Sequence, residues 1–217
     1  MFSLKGKHAL VTGGGRGIGR SIARALLEQG AYVTIAGRTE TTLETACNEL
    51  LAQYGGRMDW HVCDVRDRES TASMLRRMEE SGEGLDILVN NYGSTDVAGD
   101  KDLVNGDSEV FFRVVQTNLQ SVYLTCRHAV PHMMKAGGGS IVNISSIGSI
   151  VPDLSRLAYG VSKSAINFLT RNIAVQYARY NIRCNAVLPG LIATDAAMRN
   201  MSDEFRDLFL RHVPLGR

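Results

Sequence analysis

A tyrosine and a lysine four positions apart, in the stretch LAYGVSKSA at residues 157–165, are the first candidates for chemistry. Because four residues span slightly more than one helical turn, Tyr159 and Lys163 would share one face of a helix. A tyrosine with its ordinary pKa is a poor proton shuttle near neutral pH, and a nearby ammonium group lowers that pKa. Polar pairs with this spacing are also common on solvated helices, so the spacing alone does not establish a catalytic pair.

A glycine-rich loop, TGGGRGIG at residues 12–19, follows the first apolar run and precedes a helical pattern. Glycines allow a tight turn and the close approach of a pyrophosphate to backbone N–H groups, and the helix N-terminus favours the negative charge. The spacing is not GxGxxG, and the absence of a GK[ST] ending excludes a P-loop. Turn chemistry alone is the alternative, but the place between strand and helix favours a nucleotide. The predicted contacts are Gly13, Gly15, Arg16, Gly17, Ile18 and Gly19.

The end of the second predicted strand, AGRTE, indicates which dinucleotide binds. Enzymes that prefer NAD usually carry an acid there, whereas Gly37 occupies that position and Arg38 follows. A guanidinium group pairs well with a 2′-phosphate, and Arg16 would supply a second positive charge. Two solvated arginines are the alternative. We predict NADP(H) as the cofactor.

Six apolar runs alternate with helical patterns and would position these residues. The predicted strands are HALVTG, AYVTIAG, MDWHVCD, LDILVNN, GSIVNISS and NIRCNAVLPG, and the predicted helices cover about 18–30, 40–53, 68–80, 108–135 and 156–179. Strands that are apolar throughout suit a parallel sheet covered on both faces. We predict one α/β domain over residues 1–217, a doubly wound, Rossmann-like parallel sheet. Functional residues should fall where its strands end.

Composition narrows the function. The 217 residues are 44% hydrophobic and 21% charged, with a net charge of +2, which gives no case for binding nucleic acid or an anionic membrane. The four cysteines are far apart and form no ligand pattern, so we predict core residues of a cytoplasmic protein. No signal sequence or transmembrane run is evident. The five histidines match no metal-ligand set, and no metal is expected.

Seven segments, in this order, resemble the short-chain dehydrogenase/reductase family over essentially the whole chain. They are TGGGRGIG, Asp64 in CDV, NNYG at 90–93, Asn118 in QTNLQS, NISS ending at Ser146, YGVSK at 159–163 and NAVLPG ending at Gly190. The cofactor signature is similar to that of NADP-preferring members, such as 3-oxoacyl-carrier-protein reductases and hydroxysteroid dehydrogenases. No single segment is decisive, but their common order leaves little room for coincidence.

The resemblance implies a role for each residue. Tyr159 would be the general acid/base, Ser146 would hold the substrate oxygen, and Lys163 would support the tyrosine and the cofactor ribose. Asn118 would anchor a water relay. The side chain of Asp64 would meet the adenine. Further cofactor contacts are implied for Val65, Asn91 and Gly93, for Tyr159 itself, and for Pro189, Gly190, Ile192 and Thr194 at the nicotinamide end.

Several of these residues could have another role. Ser145 is an equal candidate beside Ser146 when the family pattern is left aside. Asn118 lies on the apolar stripe of its helix and could be structural, because a buried amide must find hydrogen bonds. Asp64 could be a turn residue. For Tyr159, we expect the neighbouring ammonium and the positively charged nicotinamide to lower its pKa.

Two features depart from the family pattern. Tyr92 stands where alanine is more frequent, and its ring would pack beside the adenosine half of the nucleotide or fill a gap in the core. Family members usually continue with a helix, a seventh strand and a glycine-rich end, whereas this chain ends at HVPLGR. We therefore expect either a sheet without the usual C-terminal strand or an incomplete sequence.

The predicted function is hydride transfer between NADP(H) and a ketone or secondary alcohol, in a homotetramer or dimer. Candidate substrates are a 3-oxoacyl thioester and a steroid-like or other ketone. The alternative is a non-catalytic NADP(H)-sensing module, which the presence of the tyrosine, lysine and serine disfavours. Residues 191–217 are the predicted substrate-loop region. Its apolar residues could form a lid over the substrate or could simply be the buried side of amphipathic helices; they are Leu191, Ile192, Met198, Met201, Phe205, Leu208 and Phe209.

Overall fold

The sheet has six parallel strands. The computed structural model describes residues 3–80, 82, 84–194, 197–198, 203–211 and 213. The strands are β1 (His8–Thr12), β2 (Tyr32–Gly37), β3 (Arg57–Val62), β4 (Ile87–Asn90), β5 (Gly139–Ile144) and β6 (Ile182–Val187). Their spatial order is β3-β2-β1-β4-β5-β6, so the direction of winding reverses beside β1. This topology confirms the predicted doubly wound α/β fold.

Helices follow the strands as predicted, with ends shifted by a few residues. They are α1 (Gly17–Glu28), α2 (Glu40–Tyr54), α3 (Arg68–Glu80), α4 (Ser108–Lys135), α5 (Leu157–Tyr177) and α6 (Asp203–Leu210), and short 3₁₀ turns lie at Ile147–Ser149 and Ala178–Tyr180. Among the helices described, none is both long and apolar enough to cross a lipid bilayer.

The core has two parts, one on each face of the sheet. Successive side chains of a strand point to opposite faces, so Leu10 and Val11 of β1 enter different clusters. Leu10 packs with residues of α3, α4 and α5, including Met74, Val122 and Ile166. Val11 packs with residues of α1 and α2 on the opposite face of the sheet. Helices on both faces therefore hold the strands whose ends carry the site.

The outer strands differ from the prediction that every strand is apolar throughout. In β6, buried Ile182 and Cys184 alternate with exposed Arg183 and Asn185, and β3 also alternates. The reason is that β3 and β6 lie at the two edges of the described sheet, where helices cover them less completely. All five residues of the central strand β1 are buried.

Candidate active site

The carboxyl ends of the strands form one edge of the sheet, and a cleft of about 530 Å³ lies along it. Most predicted segments of the site directly follow a strand end, because parallel strands bring all their carboxyl ends to this edge, whereas Asn118 lies within α4 and Tyr159 and Lys163 lie on α5. The predicted residues that line the cleft are Gly13, Gly15, Arg16, Gly17, Ile18, Arg38, Val65, Asn91, Gly93 and Thr194.

The glycine loop is shaped by close contacts. Gly13 has a φ of +64°, in the left-handed region that favours glycine. A Cβ atom on Gly19 would overlap the carbonyl oxygen of Gly13, so α1 approaches the loop as closely as backbone allows. Asn91 holds the loop from β4, since its Nδ2 donates to the carbonyls of Thr12 at 3.1 Å and Gly13 at 3.2 Å.

The first turn of α1 suits a pyrophosphate. The helix begins at Gly17, and the preceding residue, Arg16, makes no side-chain capping bond. The first turn contains no acidic residue. Its backbone N–H groups and positive helix end therefore remain for an anion in the cleft. The residues present thus fit a dinucleotide.

Positive charge and hydroxyl groups surround the end of β2. Arg38 and Thr39 are both exposed and line the cleft together with Arg16. Thr39 is the N-cap residue of α2, but its side chain makes no capping bond. Several hydroxyl-bearing residues of the lining were not predicted from the sequence. Their nearness in sequence to Arg38 and Gly93 was the signal that could have identified them. They are Thr39, Thr42, Ser94 and Thr95.

Asp64 is already engaged within the protein. Its carboxylate accepts from Nε of Arg66 at 2.8 Å and 3.1 Å and from the backbone N–H of Arg66 at 3.0 Å. The Arg66 side chain is the main reason that the pKa of Asp64 is lowered. The Asp64 carbonyl also accepts from the N–H of Asp67 at 2.9 Å. These contacts are those expected of a turn residue. The contact of Asp64 with adenine stays a prediction.

The tyrosine, lysine and serine come together at the ends of α5 and β5. Lys163 is only 3% exposed, and its Nζ donates to the carbonyl of Ile144 at 2.9 Å. The same nitrogen lies 5.6 Å from the centre of the Tyr159 ring. The Ser146 side chain lies close enough to Tyr159 to lower the pKa of its hydroxyl. An acid–base group, a hydroxyl and a cation thus meet at one point.

The structure separates the two neighbouring serines. Ser145 is buried, and its hydroxyl donates to the carbonyl of Lys163 at 3.2 Å. The Ser146 oxygen accepts from the N–H of Gly148 at 3.2 Å and contacts Tyr159. Of these two serines, only Ser146 therefore has its hydroxyl at the Tyr159 side chain.

The pKa of Tyr159 corrects one expectation. In the protein alone this pKa is raised, chiefly by burial, while the neighbouring Ser146 side chain and the charge of Arg156 act in the opposite direction. Lys163 is not among the groups that lower it, although its nitrogen lies 5.6 Å from the centre of the ring. Within the protein alone, Ser146 and Arg156 are thus the groups that favour the phenolate.

Replacing Lys163 with methionine should remove a pH-dependent cost. Burial lowers the pKa of Lys163 from 10.5 to about 8, so the folded state is penalised below about pH 8 and the penalty fades as the pH approaches 10.5. Relative to the variant, wild-type protein without cofactor should gain about 2 kcal/mol of unfolding free energy between about pH 7 and about pH 9.5. Urea denaturation measures this. Replacing the exposed Lys135 with methionine is the control, and a pH-independent difference for Lys163 would contradict the prediction.

Asn118 is completely buried and makes three side-chain hydrogen bonds. Its Oδ1 accepts from the N–H of Ser94 at 2.7 Å, and its Nδ2 donates to the Ser94 carbonyl at 2.9 Å and the Ser162 hydroxyl at 3.0 Å. Both amide hydrogens are therefore used to join α4, α5 and the segment after β4. The water relay stays a prediction.

The ring of Tyr92 both packs against the core and borders the cleft, the two positions that the sequence analysis allowed for it. It is partly buried against the core cluster that contains Leu88, and it also lines the cleft. Its backbone N–H donates to the Thr12 hydroxyl at 3.2 Å. The ring thus fills space beneath the cleft and presents a surface to it.

The segment after β6 lies over the same edge. The carbonyl of Pro189 accepts from the N–H of Ile147 at 2.9 Å, which joins this segment to the turn after Ser146. A Cβ on Gly17 would lie 3.4 Å from the Thr194 methyl group, so Thr194 adjoins the glycine loop. Ile192 is 45% exposed. Of the predicted lid, Met201 and the side chains of Phe205, Leu208 and Phe209 lie outside the described residues.

No group of three His, Cys, Asp or Glu side chains that could hold a metal ion occurs in the part of the chain that the structure describes. The four cysteines, all of them described, are free and buried.

A nucleotide-sized cleft beside a buried acid–base group is the arrangement of a nicotinamide-dependent oxidoreductase. The family model for short chain dehydrogenases matches residues 7–204, and the chain belongs to this family. It is 56% identical to a 7alpha-hydroxysteroid dehydrogenase of Clostridium sardiniense, over 100% of this chain and 82% of the relative. It is 35% identical to a 3-oxoacyl-[acyl-carrier-protein] reductase of Chlamydia pneumoniae, over 100% of this chain and 85% of that protein.

The solved structures agree with this assignment. A short-chain type dehydrogenase/reductase from Mycobacterium marinum superposes with a TM-score of 0.92 at 33% identity, covering 100% of this chain and 84% of that chain. The fold is therefore that of the short-chain dehydrogenase family.

Proposed function

We propose that the protein transfers a hydride between NADP(H) and a steroid, interconverting a 7α-hydroxyl group and the 7-ketone. The observation that carries the catalytic part is the meeting of Tyr159, Ser146 and Lys163 next to the cleft. None of the three is a lining residue, but a Cβ on Gly93, which lines the cleft, would lie 3.3 Å from Nζ of Lys163. This grouping supports proton transfer to or from a single oxygen atom. It disfavours a purely sensing module, which has no need of such a group.

In the direction of reduction, the nicotinamide supplies the hydride and the protein supplies the proton. Tyr159 donates its hydroxyl proton to the developing alkoxide, and Ser146 donates a hydrogen bond to the same oxygen. Lys163, held by the Ile144 carbonyl, places a cation near the tyrosine as the phenolate forms. In oxidation, Tyr159 takes the proton back.

Three features support NADP(H) over NAD(H). Arg38 and Arg16 line the cleft with exposed guanidinium groups, and Gly37 stands where a carboxylate would repel a 2′-phosphate. The uncapped N-terminus of α2 leaves backbone N–H groups and positive partial charge at Thr39, which Glu40 in the first turn offsets only in part. All three favour an additional phosphate on the adenosine ribose.

Two observations favour a steroid over an acyl thioester. The identity is higher to the hydroxysteroid dehydrogenase than to the acyl-carrier-protein reductase, at 56% against 35%. Exposed apolar side chains follow the ends of β5 and β6, namely Ile147, Ile150, Val151 and Ile192. Such an apolar rim suits a rigid hydrocarbon skeleton whose oxygen must reach Ser146 and Tyr159.

The substrate test compares kcat/KM for three compounds with purified protein. With NADP⁺, a 7α-hydroxysteroid should be oxidised at least about 10²-fold more efficiently than its 7β epimer, because the epimer places its oxygen away from Tyr159. With NADPH, a 3-oxoacyl thioester should react poorly. Faster turnover of the thioester would overturn the steroid assignment, and no turnover with tight NADPH binding would favour the sensing module.

We further propose a cytoplasmic homo-oligomer, a tetramer or a dimer. Free, buried cysteines suit a reducing compartment. Exposed apolar side chains on α4 and α5, such as Phe112, Phe168 and Val175, support contacts between subunits through these helices.

A further inference from the structure

Asp100 is a buried acid that no part of the proposed reaction uses. It lies in the segment between β4 and α4 and is only 3% exposed. Its Oδ1 accepts from the backbone N–H of Ala158 at 2.8 Å, and its Oδ2 accepts from the backbone N–H of Tyr159 at 2.9 Å. Both oxygens are thus directed at the first turn of α5.

The whole first turn of α5 is held by this segment. The carbonyl of Asp100 accepts from the N–H of Arg156 at 3.0 Å, and the carbonyl of Lys101 accepts from the N–H of Leu157 at 3.2 Å. Two adjacent residues, more than fifty positions earlier in the chain, therefore satisfy the amides that a helix N-terminus leaves unpaired.

A local cap is absent at the start of α5. Its N-cap residue, Arg156, makes no side-chain capping bond and has a φ of +59°, a left-handed conformation that is strained for arginine. Such a conformation persists where the surrounding contacts impose it. The bonds to Asp100 and Lys101 are the contacts that do so here.

The position of the Tyr159 hydroxyl depends on this cap. Tyr159 is the third residue of α5, and its own N–H is one of the two that Asp100 binds. Ser146 belongs to a different element, the turn after β5, so the tyrosine–serine contact requires α5 to begin at a fixed place. The bonds of Asn118 to Ser94 fix the start of the segment that carries Asp100.

We propose that Asp100 is a positioning residue for catalysis, whose carboxylate sets the place of the Tyr159 hydroxyl against Ser146 through the two amides at the start of α5. The inference rests on the proposed function, because it assigns Tyr159 the proton transfer. It predicts a loss in kcat without a loss in binding.

The experiment compares Asp100→Ala and Asp100→Asn with a matched control in the same segment. Asp107 caps α4 in the same way, accepting from the N–H groups of Glu109 at 2.8 Å and Val110 at 3.3 Å, but it is exposed. Asp100→Ala should lower kcat about 10²-fold, with unchanged KM for the ketosteroid and unchanged Kd for NADPH. Asp100→Asn keeps one acceptor oxygen, so its kcat should fall less than that of Asp100→Ala. Asp107→Ala should lose stability but keep kcat.

A spectroscopic readout makes the test independent of turnover. With tyrosine labelled by ¹³C at Cζ, the resonance missing in Tyr159→Phe belongs to Tyr159. It should move in both Asp100 variants and stay in place in Asp107→Ala. If the alanine variant does not fold, the asparagine variant carries the test, with both a reduced kcat and a moved resonance expected.

The possible results separate the two proposals. If the wild type reduces no ketosteroid, the proposed substrate fails, and the Tyr159 resonance alone decides the role of Asp100. An unmoved resonance with wild-type kcat in the Asp100 variants would overturn the positioning role. So would equal losses of kcat in Asp100→Ala and Asp107→Ala, since these would mark a general effect of uncapping a helix.

Discussion

Replacing Tyr159 with phenylalanine should lower kcat for ketosteroid reduction by about 10²- to 10⁴-fold, the range typical of losing a general acid. The ring keeps its place on α5, and only the hydroxyl that contacts Ser146 is removed. Since the dinucleotide cleft is lined by other residues, the Kd for NADPH should stay the same. Steady-state kinetics and fluorescence titration with NADPH measure the two quantities.

Tyr123→Phe is the matched control for this variant. Tyr123 is 47% exposed on α4, and its hydroxyl accepts from Arg127 at 3.3 Å, away from the sheet edge. The same loss of one hydroxyl should leave kcat unchanged there. Full activity of Tyr159→Phe would refute the mechanism, whereas equal weakening of NADPH binding and kcat would indicate that the tyrosine serves the cofactor alone.

Reversing the charge of Arg38 should change the cofactor preference. Arg38→Asp removes a guanidinium group from the cleft and puts a carboxylate where a 2′-phosphate is proposed to lie. A charge-assisted hydrogen bond contributes about 1.5–3 kcal/mol, so kcat/KM for NADPH should fall about 10²-fold. That for NADH should rise, because the new acid can bind a ribose 2′-hydroxyl.

The ratio of kcat/KM for NADPH and NADH is the quantity to measure. Arg76→Asp makes the same charge reversal on α3, where the side chain is 60% exposed, and should leave the ratio unchanged. A wild-type preference for NADH, or an unchanged ratio in Arg38→Asp, would argue against the proposed 2′-phosphate site.

The order of strands and helices could be predicted because local signals agree along this chain. Apolar runs, glycine loops and helical periodicity repeat in a regular alternation, and parallel pairing then brings the strand ends together. The ends of the strands were less predictable. For example, Ser145 and Ser146 continue the pattern of β5, although the strand ends at Ile144.

Partners that are far apart in sequence could not be predicted. Asp100 and the amides it binds are separated by 58 residues at Ala158, and no local pattern links them. The hydrogen bonds of Asn118 to Ser94 depend on how α4 packs against the segment after β4. Contacts of this kind depend on the three-dimensional packing of whole elements.

The pKa of Tyr159 could not be predicted from its neighbours in sequence. The spacing to Lys163 suggested a lowered pKa, but the tyrosine is buried and the lysine nitrogen bonds to the Ile144 carbonyl. Burial disfavours both charged forms, and its extent depends on the folded structure. Residue type and spacing thus indicate which groups meet, whereas their ionisation depends on solvent access.

The strand order also has a consequence for how the protein is made. β1 pairs with β2 soon after synthesis, but its other edge waits for β4, whose Ile87 pairs with Ala9. β4 in turn waits for β5, whose Ser140 pairs with Ile87. A growing chain therefore carries an open strand edge at three successive stages, at β1 until β4, at β4 until β5 and at β5 until β6, when contact with other nascent chains is most harmful. The strands of the nucleotide half of the sheet, β1 to β3, are translated before the residues of the proton-transfer group.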